Sequence, residues 1–263
     1  MELRGARTLV TGATGGLGDA IARTCAARGA NLVLTGRREG PLRALAEELS
    51  AEALVADLAH RADVGHLAET MGVVDVLVSN AALPAGGRVD TFSVDEIDRA
   101  LDVNLRAPIV LSRHLAAEMT RRGQGHIVFV SSLAAAFPTP GLTVYNTTKA
   151  ALASFGLSLR GELAPHGVGV SIVYPGPIRD AGMWADTQLA LPVGLSTRSP
   201  AEVGEAVVRA IEHNRAEVMV APLALRLGAV FGRSSPATVA RLAPRFGSTK
   251  LTDAMAQALR HKR

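Results

Sequence analysis

The sequence predicts an α/β fold: a doubly wound parallel sheet of about seven strands, helices on both faces, and a C-terminal helical extension. Three observations carry that prediction. Short apolar runs rich in Val, Ile and Leu alternate with stretches of helical periodicity through most of the chain. The runs are nearly continuous in apolar residues, as strands buried on both faces require. A glycine-rich segment sits between the first run and the first helical stretch.

Composition agrees. A chain of 263 residues suits one α/β domain and can bury a core without disulfides or metals. With 48% hydrophobic and 20% charged residues, disorder and collagen-like structure are excluded. The single cysteine, Cys25, has no disulfide partner in the chain and reads as a small core residue on a helix. No cluster of Cys and His has the spacing of a zinc site. The N-terminus lacks a signal-peptide pattern. The long uncharged run 127–150 is interrupted by Ser131, Ser132, Pro138, Pro140 and Thr143, so it does not span a bilayer. The expected location is the cytoplasm.

The elements follow in order. Thr8–Val10 is the first strand and runs into Thr11-Gly12-Ala13-Thr14-Gly15-Gly16-Leu17-Gly18, which opens the helix Gly18–Arg28. Glycine is needed where a phosphate approaches backbone N–H groups closely or where a turn takes positive φ. The helix N-terminus that follows offers free N–H groups and a positive dipole end. Gly12, Thr14, Gly16, Leu17 and Gly18 are therefore candidates for binding a dinucleotide. The second strand, Asn31–Thr35, should end at the acid that bonds the ribose 2′-hydroxyl of NAD. Gly36 stands there instead, followed by Arg37 and Arg38. An arginine pairs with a 2′-phosphate that an acid would repel, so NADP(H) is the preferred cofactor, with NAD(H) possible.

Helix Pro41–Leu49 leads to strand Ala53–Ala56, and strand Val74–Val78 to one long helix, Asp95–Arg122. Strand His126–Val130 ends just before Ser132, and helix Val144–Ala164 carries Tyr145 and Lys149. Four residues apart, the tyrosine and lysine share a helix face. A nearby ammonium, together with a positive nicotinamide ring, is expected to lower the phenol pKa and suit it to acid–base work. Ser132 is placed to hydrogen-bond the same substrate oxygen. Strand Val168–Val173 precedes residues 180–198, which carry no clear pattern and read as a substrate flap. Helix Ala201–Asn214 and strand Val218–Val220 complete the sheet.

These motifs, in this order over roughly residues 5–221, resemble the short-chain dehydrogenase/reductase family in its principal 250-residue form, with a Rossmann-type fold. The resemblance implies that Tyr145 is the acid/base and that Lys149 assists it and holds the nicotinamide ribose. Ser132 would polarise the carbonyl or alcohol, and Asn104 would support a water relay to the lysine. It further implies that Asp57 and Leu58 meet the adenine. Ser79-Asn80-Ala81-Ala82 stands for the family's Asn-Asn-Ala-Gly, bringing Asn80 and Ala81 to the cofactor. Pro175, Gly176 and Ile178 form its nicotinamide loop. Asp180 replaces the usual threonine there, and either accepts from the carboxamide or pairs with Arg179. The implied assembly is a homodimer or homotetramer built on the helices holding Asn104 and Tyr145.

Residues 1–222 form the binding and catalytic domain on this reading, and 223–263 a basic extension. Candidate substrate contacts are Ser132, Tyr145, Met183 and Trp184, with Leu83, Leu133, Phe137, Tyr174, Leu189 and Leu191 as further lining. Their apolar character points to a lipophilic ketone or secondary alcohol. The net charge of +4 is uneven: from Leu223 onward eight Lys or Arg face one acid, Asp253, leaving −3 on the first 222 residues. With only nine aromatic residues in all and no nucleic-acid motif, the tail does not read as a nucleic-acid binder. Its apolar and basic residues at helical spacing suggest either helices covering the pocket or a subunit interface, or a peripheral contact with an anionic membrane. Gly228, Gly232, Pro236 and Pro244 break any long helix and favour the former. The alternative to an enzyme is a non-catalytic dinucleotide-binding regulator.

Overall fold

The computed structural model describes residues 1–136, 139–187, 196–235, 237–238, 254 and 258. Seven strands form one parallel sheet: β1 (Arg7–Thr11), β2 (Asn31–Gly36), β3 (Glu52–Val55), β4 (Val76–Ser79), β5 (Gly125–Val130), β6 (Val168–Pro175) and β7 (Glu217–Val220). Their order is β3-β2-β1-β4-β5-β6-β7, so the winding reverses between β1 and β4. A crevice opens at the carboxyl ends of strands at such a reversal, and ligands bind there.

Side-chain alternation along each strand builds the two halves of the core. Val10, Val76, Val78, Val128 and Val130 pack on one face, beneath α1 (Gly16–Ala27), α2 (Glu39–Glu48) and α8 (Pro200–Glu212). Leu9, Leu77, Ile127 and Phe129 pack on the other, beneath α3 (Arg61–Thr70), α5 (Ala107–Arg122) and α6 (Thr143–Leu163). Close approach of α1 and α8 depends on Gly204, where a Cβ would lie 2.2 Å from Thr24 Oγ1.

Three elements differ from the sequence reading. Helix α3 was not expected; its only buried residues are Val64, Leu67 and Ala68, and Gly65 dilutes the pattern. The single helix expected over Asp95–Arg122 divides into α4 (Val94–Leu101), a π-helical turn (Asp102–Arg106) and α5. Pro108 explains the break, since it has no N–H for Asn104 O four residues back and its ring crowds that carbonyl. Within the flap, Gly182–Thr187 forms a short helix, α7. The flap's ends are stapled where Arg179 N donates to Arg198 O at 2.9 Å and Arg198 N to Pro177 O at 3.0 Å. Phe137, Leu189, Leu191 and the segment 239–246 lie outside the described residues.

In the extension, Leu223–Ser234 forms one continuous helix, α9, across Gly228 and Gly232. The two glycines do not interrupt it, and it stops at Ser234, just before Pro236; Gly232 is buried, as is Ala229, so these small residues let α9 lie close to the body.

Candidate active site

A cavity of about 550 Å³ lies at the carboxyl ends of the central strands. Gly12, Thr14, Gly16, Leu17 and Gly18 form one wall, and Arg37, Arg38, Asp57 and Leu58 another. Asn80 and Ala81 face them, and Tyr145, Lys149 and Met183 complete the enclosure. Residues up to 174 positions apart in sequence thus converge, from Gly12 to Asp186, as the strand–helix alternation requires.

The glycine turn is held by its neighbours. Gly12 takes φ 65°, and a Cβ there would lie 2.8 Å from Ala81 Cα. Thr11 Oγ1 accepts from Asn80 N and Ala81 N, both at 3.0 Å, while Asn80 Nδ2 donates to Thr11 O at 3.0 Å. These bonds lock β1 to β4 at the reversal, and they occupy the Asn80 amide within the protein. Sequence reading did not single out Thr11, although it opens the motif.

The turn fits a dinucleotide. No side chain caps α1, so its first N–H groups remain for an anion. Thr35 Oγ1, buried on the cavity wall, has no partner among the described residues. Arg38 Nη2 donates to Thr14 O at 2.9 Å, which fixes one arginine against the turn. Asp57 Oδ1 accepts from Ala59 N at 3.0 Å, and Asp57 N donates to Asp63 Oδ2, a loop brace from the unexpected helix α3.

Tyr145 and Lys149 lie on α6, both buried, with Lys149 Nζ 5.9 Å from the tyrosine ring centroid. Lys149 Nζ donates to Val130 O at 2.8 Å, and Ser131 Oγ donates to Lys149 O at 2.8 Å, pinning the helix to the end of β5. Ser132 Oγ accepts from Ala134 N at 3.1 Å and bonds Tyr145. Burial pushes the Tyr145 phenol up, and the Ser132 hydrogen bond opposes it. The expected lowering is therefore not what the protein alone produces. Desolvation also lowers Lys149 to about 8. Both groups are biased toward their neutral forms, and a neutral phenol is the form that donates a proton.

Asn104 is fully buried in the π turn. Its Oδ1 accepts from Leu83 N at 2.7 Å, and its Nδ2 donates to Leu83 O at 3.0 Å and Thr148 Oγ1 at 3.2 Å. The side chain thus ties the Leu83 loop to α6, and it is the carbonyl oxygen that Pro108 leaves without an i+4 donor.

Several residues expected at the site do not line this cavity. Ser131 lines the cavity, whereas Ser132 is reached through Tyr145. Tyr174 is 1% exposed and donates to Glu217 Oε1 at 2.6 Å, so it is a core residue and not pocket lining. Leu133 is buried in the same cluster. Trp184 is absent from the cavity wall, which takes Met183 and Asp186 from α7 instead. Gly176 packs against Ala221, and Ile178 is buried in the core, so neither lines this cavity. Asp180 takes φ 66°, and its exposed carboxylate lies 3.4 Å from Arg179 Nε, the second of its two expected roles. Ala81, Leu83, Pro84 and Val103 make the remaining wall apolar.

The model of the short chain dehydrogenase family matches residues 6–191. The chain belongs to the short-chain dehydrogenase/reductase family. A curated relative, Ketoacyl reductase HetN of Nostoc sp., is 32% identical over 259 residues, covering 93% of this chain and 90% of that protein. Among solved structures, a short-chain dehydrogenase from Sphingobium yanoikuyae in complex with NADPH superposes with TM-score 0.77 at 28% identity, covering 88% of this chain and 94% of that one. A 3-ketoacyl-(acyl-carrier-protein) reductase from Brucella melitensis complexed with NADH gives TM-score 0.73 at 28% identity, covering 83% and 97%. The family is one of oxidoreductases, and this chain's seven-stranded parallel sheet is of the Rossmann kind.

Proposed function

We propose that the protein is an NADP(H)-preferring oxidoreductase that interconverts a lipophilic ketone and its secondary alcohol. The observation that carries the reading is the convergence of Tyr145 and Lys149 at the cavity that the glycine turn also lines, with Ser132 hydrogen-bonded to Tyr145. A bound nicotinamide supplies or takes the hydride. Ser132 Oγ then orients the substrate oxygen, and Tyr145 Oη gives that oxygen its proton as the carbonyl becomes an alcohol. Lys149, fixed on Val130 O, sets the positive potential beside the phenol. Asn104 O, lacking a donor from Pro108, is the acceptor on which a water returns the proton.

Cofactor preference rests on Gly36 in the position of an acid and on Arg37 and Arg38 at the cavity wall. The compared structures hold NADPH in one case and NADH in the other, so likeness to them does not set the preference and the reading rests on these residues of this chain. The ketoacyl names of two compared proteins and the apolar wall of Leu83, Pro84, Val103 and Met183 agree with a carbonyl on an apolar chain. Asp180 gives no support to a non-catalytic regulator, because its carboxylate is turned to Arg179 and solvent.

Titration with NADPH and NADH, read by quenching of Trp184 fluorescence, tests the cofactor assignment. The expected result is markedly tighter NADPH binding, with the preference lost in Arg37→Ala. Equal binding of both nucleotides by the wild type would overturn it.

A further inference from the structure

Helix α9 is two-sided. Leu225 and Ala229 face inward and pack with Leu133 and Ala136, the short segment that directly follows Ser132. The opposite face carries Leu223, Leu227, Val230 and Phe231, which are 66%, 62%, 55% and 51% exposed. Their spacing places all four within one third of the helix circumference, with Arg226 on the flank. Scattered exposed leucines are ordinary, but four large apolar side chains in one stripe are not.

Charge identifies what covers the stripe. From Val218 to Thr252 there is no acidic residue and there are five basic ones. Arg226 and Arg209 line a cavity of about 470 Å³ at the base of α9. The acids on that wall are already engaged, Glu202 with Arg198 and Glu205 with Arg28, whereas neither Arg209 nor Arg226 has an ion pair among the described residues. Among the described residues, Arg198, Arg209 and Arg226 thus outnumber Glu202 and Glu205 on the wall at the base of the stripe, and the two unpaired arginines leave it net positive. A second copy meeting it face to face would set the unpaired Arg226 of each copy at the same contact. An anionic bilayer complements both features, taking the apolar stripe below its headgroups and the cations at their level.

We propose that the outer face of α9 docks on an anionic lipid bilayer, with Leu223, Leu227, Val230 and Phe231 inserted and Arg226 at the headgroups. Because the inner face of the same helix walls the segment after Ser132, docking sets the active-site side of the molecule against the membrane, where a lipophilic ketone partitions. That consequence rests on the proposed function; the docking does not.

Flotation of the full chain with phosphatidylcholine vesicles, with and without phosphatidylglycerol, tests the proposal independently of any activity. The wild type is expected to float with the anionic vesicles at low salt, to be released at high salt, and to ignore neutral vesicles. Leu227→Ser combined with Phe231→Ser should reduce the partition coefficient roughly 50-fold while leaving the melting temperature unchanged. Arg226→Glu should weaken the salt-sensitive part alone. Failure of the wild type to bind anionic vesicles overturns the proposal, as does binding that the double substitution leaves intact. So does a wild type that ignores vesicles but forms an oligomer, by light scattering, that the double substitution dissociates, which would assign the face to a second copy.

Discussion

Replacing Lys149 with methionine should stabilise the nucleotide-free protein at neutral pH while abolishing turnover. Lys149 is 2% exposed, and desolvation lowers its pKa from 10.5 to about 8. That difference is worth about 3 kcal/mol against keeping the ammonium charged in the folded state. Below about pH 8 both folded and unfolded chains hold the proton, and the penalty is present in full. Between about 8 and 10.5 the unfolded chain binds a proton that the folded one does not, so stability rises with pH across that window. Methionine keeps the apolar stem but removes the 2.8 Å bond to Val130 O, a loss of about 1–2 kcal/mol. The variant should therefore be more stable by about 1–2 kcal/mol at pH 7, and the wild type should recover roughly 2 kcal/mol relative to it by pH 10. Urea unfolding of both proteins at the two pH values measures this. Parallel stability profiles would refute the desolvation argument.

Other consequences follow from the same geometry. Gly12→Ala meets both a φ of 65° and a Cβ 2.8 Å from Ala81 Cα, so it should lower stability by about 2 kcal/mol or more in thermal melts. Gly65→Ala, on α3 with nothing within 4 Å, should raise stability by about 0.8 kcal/mol through helix propensity. Burial pushes the Cys25 thiol up to about 12, so it should resist thiol reagents at pH 8 until the protein unfolds. Ser132→Ala should lower kcat by about 100-fold with nucleotide affinity unchanged, because one donor to the reacting oxygen is lost.

The inner strands were legible because burial on both faces favours Val, Ile and Leu, while the edge strands β3 and β7 are only partly buried; every observed strand lies within two residues of its expected bounds. The glycine turn was legible because its conformation admits few other residues, as the contacts of Gly12 and Gly18 show. What stayed hidden depends on tertiary direction. Nothing local says that Tyr174 turns to Glu217, 43 residues on, instead of the cavity. Likewise, the choice of Ser131 over Ser132 at the cavity wall follows from how β5 ends against α6. The π turn could have been read from Pro108, whose missing N–H falls four residues after Asn104. The continuity of α9 could not, since glycines that weaken an isolated helix here permit close packing.

The most direct test of the account is reduction of a lipophilic ketone with NADPH by wild type and Tyr145→Phe, with nucleotide affinity measured on both. The account predicts turnover by the wild type and a loss of about 100-fold or more in the variant at unchanged NADPH affinity. Turnover that survives the substitution, or a wild type that binds NADPH tightly and reduces no ketone, would contradict it.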